Sequence, residues 1–263
     1  MIIDSHVHLG YTHEFWFYDT SVRRLTAEMD RLQIDYVINA HSEALMQENF
    51  TQAYTECLQA YAQSGGRILS YHVYNPNRGR VCLDLMEKYD DPVIFKGIKI
   101  HPSQHGVYAD SPAYNAVWQY ANDRGLPILS HTWALSAYNP VQRFSVPERF
   151  VPYIEQYPAV PFICGHAGGR YESIITAADM AAKYPNVYLD IAGDVYACNL
   201  IPYLAGRCQA DKILFASDLF WCNPAAPMGM ILTSGLDESQ TSLILGGNAA
   251  RIFRINSGNG GQA

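Results

Sequence analysis

No CxxC pair joins any of the six cysteines, Cys57, Cys82, Cys164, Cys198, Cys208 and Cys222. A zinc ribbon or a dithiol redox motif is therefore not indicated. Their scatter through a long, apolar chain points to free thiols in a reducing compartment. Positive charge is also scarce: 18 Lys and Arg face 25 Asp and Glu, for a formal net charge of −7. With no basic run or stripe, nucleic acid and anionic membrane are poor partners. No apolar stretch approaches the ~20 residues of a membrane span. Nor does an export signal open the chain, since Met1-Ile2-Ile3-Asp4 runs straight into a polar, histidine-containing segment. The expectation is a cytoplasmic protein with no membrane or nucleic-acid partner. Also missing is the glycine-rich phosphate turn of a doubly wound sheet, which argues against that fold.

What is present is core-forming material. Of 263 residues, 49% are hydrophobic and only 16% charged, enough to bury a sizeable core. Short runs rich in β-branched residues predict strands at Ile2–His8, Tyr36–Ala40, Ile68–Tyr74, Ile94–Ile100, Pro127–His131, Pro161–His166, Val187–Ile191 and Ile213–Asp218. They recur about every 25–35 residues, the length of one strand–helix unit of a parallel sheet. Between them, Ser21–Leu32, Ala113–Arg124 and Ser173–Lys183 place apolar residues at helical spacing. Eight such units predict the α/β class and a (β/α)8 TIM barrel, allowing slight distortion. A single barrel domain would cover 1–256, with a frayed Gly-, Asn- and Ser-rich tail at 257–263.

The polar residues collect where such a barrel needs them. His6 and His8 close the first predicted strand, and His101 follows the fourth. His131, His166 and Asp218 close the fifth, sixth and eighth. Strand C-termini gather at one mouth, which is where barrel active sites lie. Side chains alternate along a strand, so His6 and His8 point the same way, with Asp4 one layer deeper. A lone strand-end histidine is ordinarily a hydrogen-bonded structural residue, the reading that His41 and His72 illustrate, while either could also line the mouth without a specific role. The joint pattern is different: two imidazoles on one strand, His131 and the Asp218 carboxylate make an N/O donor set suited to zinc. His13 lies in an aromatic loop, Tyr11–Tyr18, which would form a substrate wall or a hydrophobic plug over the rim.

Asp4-Ser5-His6-Val7-His8-Leu9 resembles the opening motif of the amidohydrolase superfamily. Gly97-Ile98-Lys99-Ile100-His101-Pro102, Gly165-His166-Ala167-Gly168-Gly169, Ala216-Ser217-Asp218 and the ending Ile244–Phe253 are similar, in order, to its amidohydrolase-related branch. The resemblance spans nearly the whole chain and implies an enzyme acting on a small molecule. It implies one divalent metal, Zn2+ by preference, on His6, His8, His131 and Asp218. His166 would polarise substrate or shuttle a proton, and Asp218 would serve as base.

Two-metal relatives carry a carboxylated lysine on strand four, so Lys99 would bridge a second ion if it were carboxylated. The preferred expectation is an unmodified Lys99 contacting substrate or Asp218, with an ion pair to Asp4 or Asp190 as the structural alternative. His101, Arg170, Trp133 and Trp221 complete the expected substrate-binding set, Arg170 either taking a carboxylate or pairing with Glu172 or Asp194. The resemblance admits a hydrolase of a lactone, ester or amide, and a non-oxidative decarboxylase of an aromatic or unsaturated acid. The compact chain favours hydrolysis. A non-catalytic ligand-binding barrel would leave gaps in the ligand set, and none is apparent. A homodimer is the commonest symmetric assembly for such a chain.

Overall fold

The β-branched runs form strands, and all pair in parallel in chain order. The computed structural model describes residues 1–13 and 19–256. The strands are β1 (Ile3–Val7), β2 (Tyr36–Asn39), β3 (Ile68–Val73), β4 (Phe95–Ile100), β5 (Ile128–His131), β6 (Phe162–Gly165), β7 (Val187–Asp190) and β8 (Ile213–Leu214). Each is hydrogen-bonded to the next in one eight-stranded sheet, the topology of a TIM barrel. Closure between β8 and β1 rests on a few backbone bonds: Ser5 N to Phe215 O at 3.0 Å and Asp218 N to His6 O at 2.9 Å, with a bridge between Val7 and Leu219. The expected strand Ile213–Asp218 is thus shortened. Beyond Leu214 the chain leaves the β7 ladder, and Asp218 adopts a left-handed φ of 61°, which no strand can hold.

The predicted helices form within one or two residues of their expected ends. In α1 (Val22–Leu32), Ser21 caps the first turn by accepting the Arg24 N–H at 3.2 Å. The other helices between strands include α2 (Phe50–Gln63), α3 (Gly79–Lys88), α4 (Asn115–Arg124), α5 (Val151–Gln156), α6 (Glu172–Lys183), α7 (Leu200–Cys208) and α8 (Ala225–Leu232). Helix α4 stops where Gly125 takes a φ of 63°, a conformation that costs glycine little.

Alternate strand residues face opposite sides. Val37, Ile68, Ile128, Phe162, Val187 and Ile213 join the large cluster with the helices. Their neighbours Ile38, Leu69, Leu129, Ile163 and Leu214 form a separate cluster with Ala249, Ile252 and Phe253 of the closing helix Asn248–Phe253. That helix plugs the end of the barrel where the strands begin, so the other end carries the polar residues. All six cysteines are free thiols. Among the described residues no helix is long and apolar enough to cross a membrane. The tail 257–263 and most of the aromatic loop, residues 14–18, lie outside the described residues.

Candidate metal centre and active-site cavity

The strand ends deliver His6, His8 and Asp218 to one buried point. One nitrogen from each ring and one carboxylate oxygen lie within 4.8 Å of one another. The hydrogen bonds behind the rings fix their tautomers. His8 Nδ1 faces the Ala40 carbonyl at 2.7 Å, so Nδ1 carries the hydrogen and Nε2 the lone pair. His6 Nδ1 faces Asp190 Oδ2 at 2.9 Å, with the same result. Both Nε2 atoms then stand 3.3 Å from Asp218 Oδ1, lone pairs against an anionic oxygen. His8 Nε2 and Asp218 Oδ1 are buried and lack a hydrogen-bond partner among the described residues. A buried polar atom without a partner is costly, and a divalent cation satisfies all three donors at once. The residues present fit such an ion.

The charge states agree with that fit. Burial pushes the His8 ring down to about 4, and burial likewise lowers His6, so both rings are neutral and able to donate a lone pair. Asp218 is presented by a turn tied to β1: Asp4 accepts the Ser217 N–H at 3.0 Å and the Ser217 hydroxyl. Burial raises Asp4 to about 8.

Among the described residues, Lys99 reaches neither the cavity lining nor a carboxylate. Its Nζ lies 2.7 Å from His6 Nε2, fully buried, and burial lowers its ammonium to about 8. His131 stands outside the three-residue group. Its Nδ1 is 3.0 Å from His166 Nε2 and its Nε2 is 3.0 Å from Gln142 Oε1. His166 opens a sharp turn with a φ of 61°. Its N–H is held by Asp190 Oδ1 at 2.7 Å, its Nδ1 bonds Ala192 O at 3.1 Å, and Asp218 Oδ2 is 3.5 Å away. Gly193 leaves room for this junction: a Cβ there would stand 2.8 Å from His166 Nδ1 and 3.1 Å from Asp218 Oδ2.

Two residues of the site hold roles beyond those expected from sequence, where Asp190 stands only as an alternative ion-pair partner of Lys99. Asp190 orients both His6 and His166, and its signal was available, since it closes β7 as Asp218 follows β8. Gln142 lies in a short 3-10 turn, Pro140–Phe144, and carried no signal. His13 is exposed and its ring meets the Tyr11 hydroxyl at 3.2 Å.

Beside the metal point opens a cavity of about 590 Å³, in the range of small-molecule sites. His101, His131, Trp133, His166, Asp218 and Trp221 line it. Trp221 lies flat on His8, ring centres 3.6 Å apart at 6°. His131 is stacked between His101 and Trp133, at 4.1 and 5.9 Å and within 8° of parallel to each. Arg170 sits 5.6 Å over the Trp133 ring and pairs with Asp194, and both line the cavity.

A parallel eight-stranded barrel with histidines and a carboxylate converging at its C-terminal mouth defines the class: a TIM barrel with a donor set that could hold a metal ion. The family model described as Amidohydrolase matches residues 3–255, and the chain belongs to that family. No match is found among curated proteins. Among solved structures, 5-carboxyvanillate decarboxylase LigW from Sphingomonas paucimobilis is similar at 16% identity and a TM-score of 0.73, covering 97% of this chain and 99% of that one. A dihydroxybenzoic acid decarboxylase from Polaromonas sp. JS666, with bound manganese and the inhibitor 2-nitroresorcinol, is similar at 18% identity and a TM-score of 0.72, covering 97% of each chain. A putative amidohydrolase from Staphylococcus aureus is similar at 14% identity and a TM-score of 0.74, covering 97% and 99%. At these identities the likeness is one of fold.

Proposed function

We propose that this chain is a metal-dependent, non-oxidative decarboxylase of an aromatic or unsaturated acid. His6, His8 and Asp218 would hold one divalent ion. His131 is the proposed fourth ligand, exchanging its bonds to His166 and Gln142 for the metal. The observation that carries the reading is the cavity's lining. Stacked flat rings, Trp221 on His8 and the His101–His131–Trp133 series, meet the presumed reacting groups Asp218 and His166 in one space suited to a planar ring. That the similar solved structures include enzymes for 5-carboxyvanillate and dihydroxybenzoate supports it. The compactness of the chain, which favoured hydrolysis, does not separate it from those decarboxylases, since the superpositions run nearly end to end.

A metal held there would supply Lewis-acid polarisation of an oxygen beside the reacting carbon. Loss of CO₂ leaves the bonding electron pair on a ring carbon, which must then take one proton. His166 is the proposed carrier: its Nδ1 is committed to Ala192 O, leaving Nε2 to exchange the proton. Trp133 and Trp221 exclude water from the ring face. Two imidazoles and a carboxylate suit zinc, and manganese is the second ion to test. Hydrolysis of a lactone, ester or amide remains the competing reading, because an ionised Asp218 can serve as base. The test is to incubate metal-loaded protein in D₂O with a panel of hydroxybenzoates. Release of CO₂ with one deuterium on the product ring is expected. Turnover of lactones or esters with solvent oxygen entering the product, and none of the acids, would establish hydrolysis instead.

A further inference from the structure

The cavity holds a cation–anion pair that the chemistry above does not use. Arg170 and Asp194 come from the loops after β6 and β7 and bond each other while both line the cavity. Glycine places the arginine. Gly168 and Gly169 have φ values of 84° and 89°, and a Cβ on Gly169 would stand 2.7 Å from the Trp133 ring. The loop therefore lies against Trp133 with the guanidinium over its face, which also stabilises a cation. The two side chains remain 38% and 53% exposed. Exposed ion pairs contribute little and exchange readily. A planar guanidinium fork matches a carboxylate in two parallel hydrogen bonds.

We propose that Arg170 is a specificity-determining residue that reads a second, non-reacting anionic group of the substrate, and that Asp194 is its built-in competitor. The inference rests on the aromatic-acid reading above. A cation clamped on the carboxylate that leaves would stabilise the charged ground state more than the transition state, in which that charge has moved to the ring. Such binding slows the reaction. A group that keeps its charge throughout is bound equally in both states and adds selectivity without that cost. The substrate class is then a planar acid bearing two acidic groups, one lost as CO₂ and one held by Arg170 in place of Asp194.

Calorimetry on the metal-loaded protein with benzoate and with isophthalate (benzene-1,3-dicarboxylate) separates the possibilities. Isophthalate is expected to bind about tenfold more tightly, the worth of hydrogen bonds to a charged group. Arg170→Gln should bring the two affinities together, Arg170→Lys should leave part of the difference, and Asp194→Asn should widen it. Equal affinities in the wild type, or a preference that survives Arg170→Gln, would overturn the role of Arg170. An unchanged ratio in Asp194→Asn would overturn the competitor. If neither acid binds, the aromatic-acid reading itself falls.

Discussion

Asp190 carries more of this site than its position outside the metal point implies. One oxygen holds His6 in the tautomer that exposes Nε2, and the other takes the backbone N–H groups of His166 and Ala192, at 2.7 and 3.1 Å. His6 outweighs the effect of burial and holds the Asp190 carboxyl low, so it stays an acceptor. Asp190→Asn should weaken metal binding by about 10- to 100-fold, as loss of a ligand's hydrogen-bond partner does. Competition against a chelator of known affinity measures it, and an unchanged affinity would remove Asp190 from the site. Asp190 was legible in principle, because strand-end acids of a barrel follow one rule. Gln142 was not: its partner His131 lies 11 residues back across an irregular loop, a contact that no periodicity announces.

The strands were readable because each is a short β-branched run between helical patterns. Their ends were less so. Strand β6 finishes before His166, which takes a positive φ, and Asp218 beyond β8 takes another, so the motif residues that point to function also break the local rule for a strand. Backbone departures of this kind cluster at functional sites. Between β3 and α2, His72 Nδ1 accepts the Tyr54 hydroxyl at 2.8 Å, the structural role expected of that histidine. Burial pushes His72 down to about 3. The unfolded chain therefore takes a proton that the folded chain refuses, and stability is lost as pH falls from 6.5 toward 3. By pH 5 the loss is about 2 kcal/mol. Replacing both polar partners, as His72→Phe with Tyr54→Phe, should make the acid-side fall in thermal midpoint shallower between pH 6.5 and 4. An identical slope in variant and parent would contradict the assignment.

The barrel is legible from the count and spacing of its strands, but its closure is not. Residues from β1 and from beyond β8 share the proposed metal point, and the described residues of that seam are joined by a few backbone bonds near Ser5, His6 and Val7 and by side-chain bonds from Asp4 and Ser5. An ion held by both sides would tie that seam. Anything bound only by the folded state stabilises it, by about 2.7 kcal/mol at a free concentration one hundred times the dissociation constant. Stripping the metal with a chelator should lower the thermal midpoint by several degrees, and restoring zinc or manganese should return it. A midpoint indifferent to metal would mean that no ion bridges the seam.

That same seam sets an order of events in time. His6 and His8 lie more than 200 residues of chain away from Asp218. Pairings so distant in sequence form slowly, because the intervening loop must be closed first. The proposed metal site is therefore complete only when the last strand docks on the first. Uptake of an ion during refolding would report the final step of barrel assembly, because only then does Asp218 meet His6 and His8.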